Sequence, residues 1–115
     1  MLRALMAEPK ITCYLKPTCG WSEGVRAVLR KYNLKWEERD VVNNPDHRRE
    51  MIERSGQMLQ PCVQINDRML ADVNGDEVEA FMLANQIVVP NAVEPDAPTG
   101  QPCAHEMPQA IRFSN

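Results

Sequence analysis

The chain has 115 residues and a formal net charge of −3, with a quarter of its residues charged. That is one domain's worth of sequence, long enough to bury a core. Its acidic balance argues against nucleic-acid binding, and its apolar runs are too short to span a bilayer.

The first ten residues, MLRALMAEPK, lack the pattern of a secretory signal, so a cytoplasmic location is expected. Residues 1–9 read as an extension. Residues 10–15, KITCYL, alternate and carry β-formers, which predicts a strand. A Pro/Gly break, KPTCG, follows. Residues 21–33 then place apolar side chains at 21, 25, 28, 29 and 32, the face of a helix that stops at Asn33. KWEERDVV, residues 35–42, is read as a second strand ending at an Asn-Asn-Pro turn. Asp46 is expected to cap a helix over 47–55, with Gly56 ending it. PCVQIN and DRMLADV read as two strands joined by a tight turn at Asn66-Asp67. Asn74 is expected to cap a last helix over 75–86. From residue 90 the chain becomes proline-rich and poor in aliphatics, and 90–115 reads as a tail, mobile or draped over a domain at 10–89. The order βαβαββα implies an α/β fold with a four-stranded mixed sheet flanked by three helices.

The chemistry concentrates in KPTCGWS, residues 16–22. Cys19 follows a strand and opens a helix. Unpaired N–H groups and the helix dipole there favour a thiolate, and Lys16 adds positive charge three residues upstream. Ser22 stands where a C-x-x-C pair would place a second thiol; its hydroxyl can donate to sulfur but cannot form a disulfide. Pro61 opens the third strand, and a cis bond there would leave the Gln60 backbone available to a peptide-like ligand. The start of the last helix, ADVNGDE, offers N–H groups to a carboxylate, against the plainer reading of ordinary capping.

Together these residues resemble the glutaredoxin family of the thioredoxin fold over about residues 10–87. KPTCGWS is similar to the family's K-x-x-C-P-Y-C/S and C-G-F-S patterns, and SGQMLQP to its T-G-Q-x-T-V-P. The resemblance implies a glutathione-binding protein with catalytic Cys19 and Ser22. Lys16 and the Gln57 side chain would pair with a glutathione carboxylate, and Gln60 would lend its backbone to the glutathione cysteine. Trp21 and Pro61 would join the glutathione site. Val73 and Asn74 would hold the γ-glutamyl carboxylate, or Gly75 and Asp76 if the register slips. The family's Arg and Thr are replaced by Met58 and Leu59.

Three functions stay open at this point. One is monothiol exchange at Cys19 on glutathionylated or disulfide-bonded protein substrates. Another is a [2Fe–2S] carrier, with Cys19 from two chains and two glutathiones as ligands. This predicts a monomer when apo and a dimer with cluster. The third is a degenerate interaction domain. The Lys16-to-Cys19 spacing favours exchange, while Gly20 and Ser22 favour the cluster. Cys13 reads as a buried structural thiol. Cys62 adjoins Pro61 and is a lesser redox or metal candidate. Cys103, in P-C-A-H-E, is a candidate metal ligand with His105, or a resolving thiol for Cys19.

Overall fold

The computed structural model describes residues 8–100. Its elements are β1 (Ile11–Leu15), α1 (Gly20–Lys31), β2 (Glu37–Asp40), α2 (Pro45–Ser55), β3 (Cys62–Ile65), β4 (Arg68–Leu70) and α3 (Gly75–Ala84). The expected order βαβαββα is the observed one. The sheet runs β2-β1-β3-β4, with β1 parallel to β2 and the other two pairs antiparallel.

All five residues of β1 are buried, because helices cover both faces of this central strand. The two-residue period of the strand sorts its side chains. Ile11, Cys13 and Leu15 join Val63 and Ile65 against α1 and α3, where Val25, Val28, Leu29, Val78 and Met82 complete the main core. Tyr14 points the other way and packs with Val41, Met51 and Cys62 under α2. Tyr14 also donates its hydroxyl to Glu50 at 2.7 Å, and Glu50 is paired with Arg39. Burial first, then this hydrogen bond, pushes the Tyr14 pKa up to about 12.

Several boundaries differ from the sequence expectation. α1 starts at Gly20, with Cys19 itself at the N-cap. α2 is capped by Asn44, not Asp46: the Asn44 side chain accepts from the Asp46 and His47 N–H groups, and Pro45 opens the first turn. β2 covers only four residues of the eight expected, 35–42, and β4 only three of the seven, 67–73. After β4 the chain turns through Asp72, at φ 55°, and Val73 donates to the Pro61 carbonyl instead of extending the hairpin.

The described part of the tail runs back along α1. Asn91 donates to the Lys31 carbonyl, Arg30 makes a two-pronged pair with Asp96 at 2.7 and 2.8 Å, and the Thr99 carbonyl accepts from the Asp76 N–H at the start of α3. α1 and α3 touch through glycines here. A Cβ on Gly75 would come within 2.4 Å of the Gly24 carbonyl oxygen.

Candidate active site at the start of helix α1

Three chain segments converge at one end of the sheet: the loop before α1, the Gln60–Pro61 turn before β3, and the turn before α3. The Gln60–Pro61 peptide bond is cis. The β1–β3 ladder ends at the Tyr14–Cys62 pair, so Gln60 lies just beyond the last paired residue. A pocket of about 80 Å³ between the segments is lined by Trp21, Pro61, Asp72, Val73, Asn74 and Glu77. A wider groove of about 360 Å³ is lined by Gln60 together with Lys16, Arg48, Met58 and Leu59 among others. Lys16, Trp21, Gln60, Pro61, Val73 and Asn74 therefore all border one of these two spaces.

Cys19 sits between β1 and α1 with extended backbone, and its side chain caps none of the helix N–H groups. It is 5% exposed. It forms one half of a disulfide, whereas Cys13 and Cys62 are free buried thiols. The Gln60 amide nitrogen approaches the Cys19 sulfur at 3.9 Å.

Ser22 is wholly buried, and its hydroxyl is committed elsewhere. It accepts from the Lys16 N–H and donates to the Gln60 side-chain oxygen, both at 2.9 Å. Its proton goes to Gln60, not to Cys19 as the sequence suggested. The physical reason is position: one turn into α1, Ser22 faces the two backbone segments that flank the thiol. It ties the loop before α1 to the turn before β3, and Gln60 carries the contact on to sulfur.

Gln57 is not brought to either space. Its amide donates to Ser55 Oγ, to the Leu59 carbonyl and to Cys62 Sγ, and accepts from the Leu59 N–H, which uses the side chain up inside the turn. Cys62 in turn donates to the Leu59 carbonyl at 3.3 Å, so it is a structural member of that turn. Cys13 is wholly buried, and burial pushes its thiol far up. Cys103 lies outside the described residues, as does its neighbour His105. Among the described residues no group of three or more His, Cys, Asp or Glu side chains could hold a metal ion.

Several N–H groups at the start of α3 already have acceptors. Asn74 and Glu77 form a reciprocal capping box at 2.8 and 2.9 Å, and Val73 and Asp76 donate to Pro61 and Thr99. Ordinary capping, with the tail supplying one acceptor, accounts for these donors.

Sequence reasoning missed Arg26. This residue is only 9% exposed, and it links three groups. It pairs with Glu38 through two nitrogens, reaches Glu23 at 3.1 Å, and donates to the Lys16 carbonyl at 2.7 Å. Trp36 adds a further donor to Glu38. Burial disfavours the guanidinium charge, but the Glu38 and Glu23 contacts outweigh it and raise the Arg26 pKa. The same contact holds the Glu38 carboxyl below its usual range. Arg26 thereby anchors the loop that carries Cys19. The available signal was an arginine beside the apolar helix positions 25, 28 and 29 with an acidic strand, EERD, to meet it.

A scan against family models matches the glutaredoxin family over residues 11–70, more than half of the chain. The chain belongs to the glutaredoxin family. A search of curated proteins found no match. Among solved structures, the family's fold recurs in a glutaredoxin from Brucella melitensis, with a TM-score of 0.51 and 23% identity over 70% of this chain and 84% of that one. It recurs again in a glutathione transferase homologue from Drosophila mojavensis, solved with bound glutathione, with a TM-score of 0.53 and 16% identity. That match covers 67% of this chain but only 35% of the transferase, so the chain spans about a third of that relative's length. Among the described residues no helix is long and apolar enough to cross a membrane.

Proposed function

We propose that this glutaredoxin-family chain is a glutathione-dependent thiol–disulfide oxidoreductase that works through Cys19, removing glutathione from protein mixed disulfides. The observation that carries the reading is the position of Cys19. It is the N-cap of α1, with no side-chain cap, its sulfur 3.9 Å from the Gln60 amide nitrogen in the turn before β3. Cys13 and Cys62 are buried in the core.

In the reduced protein, the Cys19 thiolate attacks the glutathione sulfur of the mixed disulfide. The protein thiol leaves as a thiolate and takes up a proton. Cys19 now carries glutathione, and a second glutathione thiolate attacks the glutathione sulfur of that bond, releasing glutathione disulfide and restoring Cys19. The helix N-terminus stabilises the thiolate at both stages. Gln60, beyond the last paired residue of β3, offers its backbone to the glutathione cysteine as an added strand. Lys16 and Arg48 border the wider groove and suit a carboxylate there. Trp21, Pro61, Val73 and Asn74 line the smaller pocket. Ser22 and Gln57 serve by holding the two turns. The relative with bound glutathione supports the choice of ligand. We place the catalytic domain at residues 10–89 and its location in the cytoplasm.

The test is reduction of a glutathionylated peptide, coupled to glutathione reductase. Turnover that disappears in Cys19→Ser supports the proposal. No turnover in the reduced wild type contradicts it. Purification under anaerobic conditions with glutathione separates the alternatives. A coloured dimer that loses its colour in Cys19→Ser would assign the cluster-carrier role, and absence of both colour and turnover would leave an interaction domain.

A further inference from the structure

The Gln60 side chain reaches the Cys19 sulfur from a segment outside α1. Its amide nitrogen, Nε2, lies 3.9 Å from Cys19 Sγ. The other end of the amide is held. Ser22 Oγ accepts from the Lys16 N–H and donates to Gln60 Oε1, both at 2.9 Å. A backbone N–H can only donate, so it takes a lone pair of Ser22 and leaves the hydroxyl proton for Gln60. Gln60 Oε1 therefore faces Ser22, and the NH2 group faces the sulfur. This line of contacts has a fixed origin: Arg26 donates to the Lys16 carbonyl at 2.7 Å, and Ser22 is wholly buried.

We propose that the Gln60 amide is a catalytic hydrogen-bond donor to the Cys19 sulfur, aimed there by Ser22. The inference rests on the exchange chemistry proposed for Cys19 and names the side chain that tunes it. Cys19 is buried and Gln60 half-buried, so water competes little for their contact. A thiolate accepts hydrogen bonds, and an N–H directed at it favours the charged form over the thiol. The contact is made while Cys19 is one half of a disulfide, so the donor is in place before negative charge appears on that sulfur.

The two transfers use this donor unequally. In the first, an electron pair of the Cys19 thiolate forms the bond to the glutathione sulfur. The bond from that sulfur to the protein substrate breaks, and the protein thiolate leaves and takes up a proton. In the second, a glutathione thiolate bonds to the glutathione sulfur, and the electron pair of the broken bond returns to Cys19. The Gln60 N–H keeps more Cys19 as thiolate but makes that thiolate a weaker nucleophile, so its effects on the first transfer oppose each other. On the second transfer it makes Cys19 a better leaving group, with no opposing effect. Its main contribution is to the release of glutathione from Cys19. Ser22 touches neither reacting sulfur in this scheme and is a positioning residue, which gives a use to the hydroxyl that stands where a second thiol would be.

The experiment follows alkylation of Cys19 by iodoacetamide across pH in the reduced full chain, read at the Cys19 peptide by mass spectrometry. In Gln60→Leu the midpoint of the Cys19 profile is expected to rise by about half to one pH unit. Gln60→Glu, equal in size but with an oxygen in place of the NH2 group, is expected to raise it further. Wild-type midpoints in both variants would overturn the inference, because a merely structural role changes the plateau rate and leaves the midpoint alone. Ser22→Ala is expected to give a smaller rise, and to add nothing when combined with Gln60→Leu. A fully additive double variant would overturn the positioning role of Ser22. A second readout starts from Cys19 loaded with glutathione by glutathione disulfide. Its release by free glutathione is expected to be severalfold slower in Gln60→Leu, and release at the wild-type rate would overturn the leaving-group role. If wild-type Cys19 never takes glutathione, the exchange reading fails by itself, and the alkylation midpoints still decide whether Gln60 acts on the sulfur.

Discussion

Helices α1 and α3 both begin beside the pocket formed by Trp21, Pro61 and Asn74, but their first turns are built differently. At α3, Asn74 and Glu77 cap each other's backbone, and a tail carbonyl takes one more N–H. At α1 the N-cap is Cys19, whose side chain makes no cap bond. A polar cap typically adds about 1 kcal/mol to a helix. The start of α3 has that contribution. The start of α1 lacks it, because the Cys19 side chain caps none of its N–H groups. The contrast explains why chemistry is assigned to one helix start and stability to the other, although both are of similar length and share one pocket.

The largest effect comes from breaking the frame that holds the α1 start in place. Arg26→Leu leaves Glu38 without its guanidinium and the Lys16 carbonyl without its donor. Glu38 is partly exposed, so the expected loss is about 2 kcal/mol and not the larger cost of a fully buried broken pair. Denaturant unfolding of the reduced protein measures it, and glutathione-peptide turnover should fall with it. The loss should depend on pH. The Glu38 carboxyl is held below its usual value by Arg26. Its contribution is therefore complete above the unfolded pKa and fades as pH falls through the lowered folded value. The gap between wild type and variant should narrow as pH falls through that lowered folded value. A gap unchanged into that range would show that the Arg26–Glu38 pair is not its source.

A smaller pair of effects tests the caps against each other. Asn74→Ala should cost about 1 kcal/mol, because it removes half of the capping box. Cys19→Ser, compared with the reduced wild type, should gain up to about 1 kcal/mol, because serine supplies the missing cap. Opposite signs in the two variants would sharpen the contrast. A loss in both would show that Cys19 already satisfies the start of α1 by another route.

Most of the frame was legible from local pattern. The alternation of KITCYL, the Gly56 stop and the Asn66-Asp67 turn each act within a few residues, so sequence spacing carries them. The cysteine at a helix start and the turn at Pro61 were legible for the same reason. Arg26 was not, because its meaning depends on Glu38, which β1–β2 pairing brings beside it. Gln57 misled because its use inside the turn depends on Cys62 lying behind it. Ser22 misled because the preference of its hydroxyl for Gln60 over sulfur is decided by a residue 38 positions away. The path of the tail was the least legible. Its clamp joins Asp96 to Arg30 across 66 residues, and no local period announces such a contact.

The central claim is that reactivity belongs to Cys19 because of where it sits. Alkylation of the reduced, folded protein by iodoacetamide at neutral pH, followed site by site with mass spectrometry in a Cys103→Ser background, tests it most directly. Cys19 should be modified well before Cys13 and Cys62, which should react only as the protein opens. Burial raises the Cys13 thiol far above its usual range, and Cys62 is enclosed by Gln57 and Leu59. Equal rates at the three sites, or Cys62 reacting first, would contradict the account.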